Sequence, residues 1–173
     1  MSGGIIEGTL AFMDKGGDVL WLIAILVFVM WTLIFERLWY FTFAWRKEAF
    51  AIINTWEARS ERKSWNAKQI RARLLSRSRE AINANLPVIT TMVALCPLLG
   101  LLGTVTGMIE VFNVMAVTGG GDAKSMAGGV ERSTIPTMAG MVAALSGLFA
   151  NTYLNRVATR EQEFLQDNLT SDH

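Results

Sequence analysis

The sequence predicts an all-α integral membrane protein that crosses the bilayer three times, and composition and patterning together lead to this class. Of the 173 residues, 51% are hydrophobic and 18% are charged. The apolar residues collect into three runs without a charged residue, at 19–35, 81–109 and 133–155. A helix needs about 20 mostly apolar residues to cross a bilayer. Three such runs in a chain of this length exceed what the core of one soluble domain requires.

The first element, residues 1–18, is predicted to lie outside the membrane and to be retained. It lacks the positively charged start of a signal peptide, and the first long apolar run begins too late in the chain for one, at Val19. Its apolar residues suit a short amphipathic helix on the membrane surface, and a frayed tail is the alternative. The remaining elements are expected as a transmembrane helix at 19–43, a helical region at 44–80, a second transmembrane helix at 81–117, a loop at 118–132, a third transmembrane helix at 133–155 and a C-terminal helix or tail at 156–173.

Positively charged residues are distributed very unevenly, and they predict which side of the membrane each segment occupies. Residues 37–80 hold 11 Lys and Arg against four Glu, whereas residues 110–132 hold two against three acidic residues. The first 18 residues hold one Lys against three acidic residues. Because cytoplasmic segments carry the excess of Lys and Arg, we expect the N-terminus and the 118–132 loop outside, and the 44–80 region and the C-terminus inside the cell.

Few residues are available for catalysis or for metal binding. Cys96 is the only cysteine and His173 the only histidine, so no disulfide and no cysteine–histidine metal site is expected. The sequence shows no nucleophile near a base and no glycine-rich phosphate loop. The basic segment 46–80 mixes its charges with apolar residues at helical spacing, and topology accounts for its charge, so nucleic-acid binding is not expected either. The sequence therefore predicts neither an enzyme nor a cofactor-binding protein.

The second apolar run contains the segment "CPLLGLLGTVTGMI" at 96–109, whose glycine and threonine residues weaken helices in water. In a bilayer the backbone stays helical because nothing else satisfies its polar groups, and small residues let helices approach closely. Small residues recur at helical spacing in the last two runs and fall on one face of each. The stripe of the second run consists of Gly100, Gly103, Thr104 and Gly107, and that of the third run of Thr137, Gly140, Ala144, Gly147 and Asn151.

Spacing alone leaves two interpretations of these stripes open. They pack the two helices against each other, with each threonine hydroxyl bonded to its own helix, or they border something other than lipid. Thr104 lies six residues before Glu110, and Thr137 lies five after Arg132, which places both hydroxyls at a similar depth. In an oligomer, hydroxyls at one depth would line a narrow polar path. Because neither helix interior carries Asp, Glu, Lys, Arg or His, a titrating group would have to come from another chain.

Four blocks of the sequence, in the same order and spacing, resemble the MotA/TolQ/ExbB proton channel family. They are "KGGDVLWLI", "ERLWYF", "PLLGLLGTVTGMI" and "GGVERSTIPTMAGMVAALSGLFAN". The resemblance covers most of the chain. Three spans with the N-terminus outside, and a short cytoplasmic region, are similar to the compact ExbB-type biopolymer transport proteins.

The resemblance implies a pentamer in the inner membrane of a Gram-negative cell, surrounded by lipid. The second and third transmembrane helices of the five subunits would enclose the transmembrane helices of an ExbD-type dimer, whose aspartate carries the proton. The work would pass to a TonB-type protein, which powers uptake across the outer membrane. Thr104 and Thr137 match the family's pore threonines, and Thr134, Glu110 and Arg132 are candidates for the pore or its rim. The resemblance implies no cofactor.

Arg132 departs from the family pattern, because ExbB proteins commonly carry a glutamate at this position. It either anchors the helix end at the membrane interface or forms a ring with Glu110 or Glu131 of a neighbouring subunit. A proton-relay role, as a glutamate could have at this position, is therefore not expected for Arg132. Two alternatives to an ExbB-type function remain: a TolQ-type role in envelope maintenance, and a structural membrane oligomer that conducts nothing.

Overall fold

The computed structural model describes residues 2–58, 64–119 and 123–169, and within these ranges the chain is helical throughout except for short turns. Its helices are α1 (Ser2–Trp39), α2 (Trp45–Glu57), α3 (Trp65–Asn83), α4 (Leu86–Thr118) and α5 (Ala123–Asn168). A π-helical turn, Tyr40–Ala44, joins α1 to α2. The predicted all-α class is confirmed for the described residues.

Three stretches of helix among the described residues are long and apolar enough to cross a membrane. They are Gly17–Glu57, Trp65–Val117 and Met126–Asn168. Each contains one of the three apolar runs of the sequence. The architecture is that of a multi-pass membrane protein.

The helix bounds differ from the predicted ones in two places. Residues 118–132, expected as a loop, are helical from Ala123 onward, because α5 begins there. The helix expected at 81–117 is interrupted after Asn83 and starts again at Leu86. At this interruption Asn85 has a positive φ of 62°, a conformation that asparagine tolerates better than most residues. Pro87 then lies in the first turn of α4, where its missing N–H costs no helical hydrogen bond.

The N-terminal segment is helical, and the helix breaks at Gly17. This residue has φ 67° and ψ −167°, a combination that is essentially restricted to glycine. The break separates residues 2–16 from the apolar run that starts at Val19. Their location on the membrane surface stays a prediction.

The chain divides into two compact units. The first unit combines Met1–Trp31 with Thr90–Leu148, and the second unit combines Thr32–Ile89 with Phe149–His173.

In the first unit, α4 and α5 touch backbone to backbone where glycines remove the side chain. A Cβ atom on Gly100 would lie 3.0 Å from the carbonyl oxygen of Pro136 and 3.0 Å from Cα of Thr137. On Gly107 it would lie 2.7 Å from Cβ of Ser133. These contacts show that the two helices run antiparallel in close contact, since residues later in α4 meet residues earlier in α5.

Further glycines of α5 continue this contact. A Cβ atom on Gly140 would lie 2.5 Å from the carbonyl oxygen of Cys96, which is backbone and has little room to move. On Gly147 it would lie 2.6 Å from Sδ of Met30 and 2.8 Å from Cγ2 of Val93, so α1 also packs against α5 here. Small residues in α5 therefore decide how closely three helices approach.

The second unit has an ordinary hydrophobic core. Its centre is the buried cluster of Trp56, Ala67 and Leu169, against which Ile52, Leu74 and Leu75 pack. The fully buried Trp45 donates its indole N–H to Oε2 of Glu161 at 2.9 Å, which satisfies its one polar atom. Ser64 caps the N-terminus of α3, accepting the backbone N–H of Ala67 at 3.2 Å.

Two arginines of the second unit bind the C-terminal ends of helices. The buried Arg37 donates from Nη1 to the carbonyl oxygen of Ala81, near the end of α3, at 3.2 Å. Arg71 donates to the carbonyl oxygens of Leu169 and Gln166, at the end of α5. The last carbonyls of a helix lack helical partners and carry the negative end of its dipole, so a guanidinium group suits both places.

The close contact at Gly140 predicts a difference between two substitutions in α5. Gly140→Ala places a methyl group against the backbone of α4, and overpacking of this kind costs about 1–3 kcal/mol. At Gly128 a Cβ atom would have no described heavy atom within 4 Å, so Gly128→Ala should stabilise the helix by about 0.5–1 kcal/mol. The measurement is thermal unfolding of the two variants in detergent. A Gly140→Ala variant as stable as the Gly128→Ala variant would contradict the packing.

The contacts of Arg71 predict local opening of α5 when the guanidinium is removed. In Arg71→Met, amide hydrogen exchange at residues 163–169 should become faster. The free energy of local opening should fall by about 1.5 kcal/mol, the contribution of hydrogen bonds to a charged group. The control is Arg73→Met, at an exposed position of α3, the helix that also carries Arg71. Equal exchange in both variants would show that Arg71 does not hold the end of α5.

Candidate functional site

Two threonine hydroxyls meet between α4 and α5 in the first unit. The side chains of Thr104 and Thr137 are hydrogen-bonded to each other. The Thr137 hydroxyl also donates to the carbonyl oxygen of Gly100 at 2.9 Å, and the Thr104 hydroxyl lies 3.5 Å from the same oxygen. Both threonines are half-buried. The two hydroxyls, placed at a similar depth by the sequence, are thus in direct contact and share one carbonyl group.

This contact depends on the small residues around it. Gly100 leaves room for the backbone of Thr137, and Gly103 leaves room for the ring of Pro136, whose Cγ would lie 2.8 Å from an added Cβ. At these glycine positions the two helices are therefore in direct contact. Ala144, the next small residue of the α5 stripe, is half-buried.

The surface beside the hydroxyl pair is apolar. Leu101 lies three residues before Thr104, and Met141 lies four after Thr137, so each shares the face of its helix with a threonine. Both side chains are exposed, at 56% and 57% of their surface. Val105 and Met138, next to the threonines in sequence, are also exposed. Among the described residues, the half-buried pair is thus a small polar spot bordered by exposed apolar side chains.

The other candidate residues lie elsewhere on the two helices. Thr134 is exposed, and its hydroxyl donates to the carbonyl oxygen of Glu131 in its own helix at 2.8 Å. Glu110 and Arg132 are exposed as well. Their contribution to a pore or its rim stays a prediction.

Sequence reasoning did not single out Ser133 and Pro136. Ser133 is buried, donates to the carbonyl oxygen of Val130 at 2.9 Å and packs against Gly107. Pro136 is buried against Gly103. A signal was present in both cases, because Ser133 lies four residues before Thr137 and Pro136 lies four before Gly140. Both therefore belong to the same face of α5 as the small-residue stripe.

The two hydroxyls can form hydrogen bonds but cannot themselves carry a proton by titrating. A threonine hydroxyl donates one hydrogen bond and accepts two, and it does not titrate in the physiological range. Residues 88–109 and 133–155 contain no Asp, Glu, Lys, Arg or His. A proton that reaches the hydroxyl pair therefore has to arrive on water or on a group from another molecule.

Comparisons with known proteins bear on this site. The family model described as the MotA/TolQ/ExbB proton channel family matches residues 46–167, which include both threonines. The chain is 39% identical over 80 residues to biopolymer transport protein ExbB-like 1 of Synechocystis, a stretch covering 44% of this chain and 32% of the relative. It is 34% identical over 96 residues to biopolymer transport protein exbB1 of Vibrio cholerae, covering 55% of this chain and 42% of the relative.

A third relative is biopolymer transport protein ExbB of Helicobacter pylori. It is 32% identical over 84 residues, which cover 48% of this chain and 58% of the relative. The chain thus matches between about a third and somewhat under two thirds of the length of these relatives. The family model matches well over half of the chain and confirms the resemblance seen in the four sequence blocks. The chain belongs to the MotA/TolQ/ExbB proton channel family.

Proposed function

We propose that this chain is the channel-forming stator subunit of an ExbB–ExbD-type motor. The motor would use the proton motive force to energise a TonB-type protein for uptake across the outer membrane. The observation that carries the proposal is the hydroxyl pair of Thr104 and Thr137, half-buried between two helices that have no charged residue in their apolar runs. Membership of a proton channel family and relatives named biopolymer transport proteins support the same role.

The proposed assembly is a pentamer around a dimer of single-span, ExbD-type chains in the inner membrane of a Gram-negative cell. Residues 1–18 and 118–132 would face the periplasm, and residues 44–80 and 156–173 the cytoplasm. Exposed apolar side chains beside the hydroxyl pair support such a partner, because they need lipid or another apolar helix to cover them. Polar groups within a bilayer normally face protein or water rather than lipid. The hydroxyl pair therefore favours a partner helix over lipid as the cover of this surface.

The partner would contribute an aspartate that carries the proton. Apolar walls favour the neutral form of a carboxylic acid, since burial penalises its ionised form. The acid would take up a proton on the periplasmic side and release it on the cytoplasmic side. Movement of one charge through a potential of 100 mV is worth about 2.3 kcal/mol, which is enough to bias a rotation or rearrangement of the partner.

Replacement of Thr137 tests the role of the hydroxyl pair in proton movement. In Thr137→Val, proton flux should fall by up to about tenfold, because a lost hydrogen bond to the neutral acid costs about 0.5–1.5 kcal/mol and 1.36 kcal/mol corresponds to a factor of ten. Thr137→Ser keeps the hydroxyl and should retain most of the flux. The measurement is proton uptake into vesicles that contain the co-purified complex.

The matched control is Thr159→Val, which removes a hydroxyl bonded within α5 to the carbonyl oxygen of Asn155. Its flux should stay at the wild-type level. Full flux in Thr137→Val, with the complex still assembled, would remove the threonine from the proton route.

The proposed assembly also predicts the composition of the purified complex. Native mass spectrometry of the detergent-solubilised complex should give five copies of this chain and two copies of a partner with one transmembrane segment. That segment should contain an acidic residue. A partner without one would favour the non-conducting structural oligomer, and a Tol-type partner would favour envelope maintenance.

A further inference from the structure

A stripe of exposed aromatic rings runs along the end of α1 and onto α2, within the second unit. This aromatic stripe consists of Phe35, Trp39, Phe43 and Phe50. Their spacing of four, four and seven residues places the rings on one side of the helix. The rings are between 59% and 70% exposed, and those of Trp39 and Phe43 lie with their centroids 5.2 Å apart. A contiguous exposed patch of this kind indicates a binding surface.

Two positively charged residues, Arg46 and Lys47, lie within the aromatic stripe and form its basic pair. They come three and four residues after Phe43, and four and three residues before Phe50. Residues three and four apart are neighbours on a helix surface, so the basic pair lies between two exposed rings. Both basic side chains are exposed as well. The surface therefore combines apolar rings with two positive charges.

The acidic residues nearest the basic pair have partners of their own. Glu48 accepts the hydroxyl hydrogen of Tyr40 at 3.1 Å. Glu36 lies 3.5 Å from Nε of Arg37 and accepts a hydrogen bond from Nδ2 of Asn85 at 3.3 Å. Among the described residues, no acid forms an ion pair with either member of the basic pair. An anion that neutralises the pair thus has to come from outside the described chain.

The aromatic stripe lies at the depth at which a transmembrane helix leaves the hydrocarbon core. A helix from Val19 to Trp39 is about 30 Å long, which equals the thickness of that core. The basic pair follows about 10–12 Å further along, and helical side chains lean toward the N-terminus, here toward the membrane. Long basic side chains in this position place their charges at the level of the lipid headgroups. Tryptophan is likewise enriched at this interface.

We propose that the aromatic stripe and its basic pair form a binding site for one anionic phospholipid of the leaflet next to α2. Arg46 and Lys47 bind the phosphate of the headgroup, and Trp39 and Phe43 pack against the glycerol and the upper acyl chain. A lipid with a net negative charge is preferred over a zwitterionic one, because two juxtamembrane cations attract it. The site goes beyond the proposed motor and uses none of the residues assigned to proton movement.

Native mass spectrometry of the detergent-solubilised protein tests the site, with separate titrations of dioleoylphosphatidylglycerol and dioleoylphosphatidylcholine. Each Lys or Arg near a membrane surface strengthens the attraction to anionic lipid about fivefold, so the pair should favour phosphatidylglycerol about thirtyfold at low ionic strength. The selective binding should saturate at one lipid per chain. In Arg46→Gln/Lys47→Gln this preference should disappear.

The matched control is Arg73→Gln/Arg77→Gln, which removes the same charge from exposed positions of α3 and should keep the preference. The double variant Arg46→Lys/Lys47→Arg keeps both charges and should behave as the wild type, which guards against a folding defect.

The contribution of the rings is tested by Trp39→Ala, which should weaken binding of phosphatidylglycerol about fivefold through lost apolar contact. Its control is Trp65→Ala, which removes a similarly exposed indole from α3 and should leave lipid binding unchanged.

A photoreactive benzoylphenylalanine in place of Phe43 identifies the molecule that covers the aromatic stripe. Irradiation of the protein in mixed vesicles of the two phospholipids should attach a lipid, with phosphatidylglycerol in excess of its share of the vesicle. An adduct with a second copy of the chain or with another protein, in place of lipid, would overturn the proposal. Equal affinity of the wild type for both lipids would do the same, as would the same preference in the two glutamine variants.

Discussion

The backbone contact between α4 and α5 is the constraint on which the rest of the first unit depends. At Gly100 and Gly140 an added methyl group would meet the opposite backbone, so this spacing of the two helices requires glycine at both positions. This distance brings the Thr137 hydroxyl within reach of a carbonyl on the other helix. With larger residues at these positions each threonine would bond only to its own helix, as Thr106 does, and the pair would not form.

Much of this arrangement could be predicted from the chain before its structure was known. Three uncharged runs indicate three spans, and the helical period places Gly100, Gly103 and Thr104 on one face. The similar depth of the two threonines follows from counting residues from the charged ends. The shared carbonyl of Gly100 could not be predicted, because spacing along one helix does not say which face of the next helix it meets, or at which level.

Other features escaped for identifiable physical reasons. The glycine-rich stretch before residue 133 suits a loop by intrinsic propensity, yet it is helical from Ala123, and Gly129 packs against Val111. Tertiary contact overrides propensity there. The roles of Arg37 and Arg71 could not be predicted, because both lie in a generally basic segment. The membrane topology already accounts for the positive charge of that segment. The sequence does not indicate that each guanidinium group donates to the carbonyl end of a particular helix.

Pro136, packed against Gly103 directly before Thr137, has a mechanical consequence. Proline has no N–H, so α5 forgoes one of its own hydrogen bonds in the turn that precedes the threonine. That turn is therefore easier to bend than turns with a complete set of helical hydrogen bonds. Bending of α5 would therefore be concentrated in this one turn, between its glycine contacts at Gly107 and Gly140.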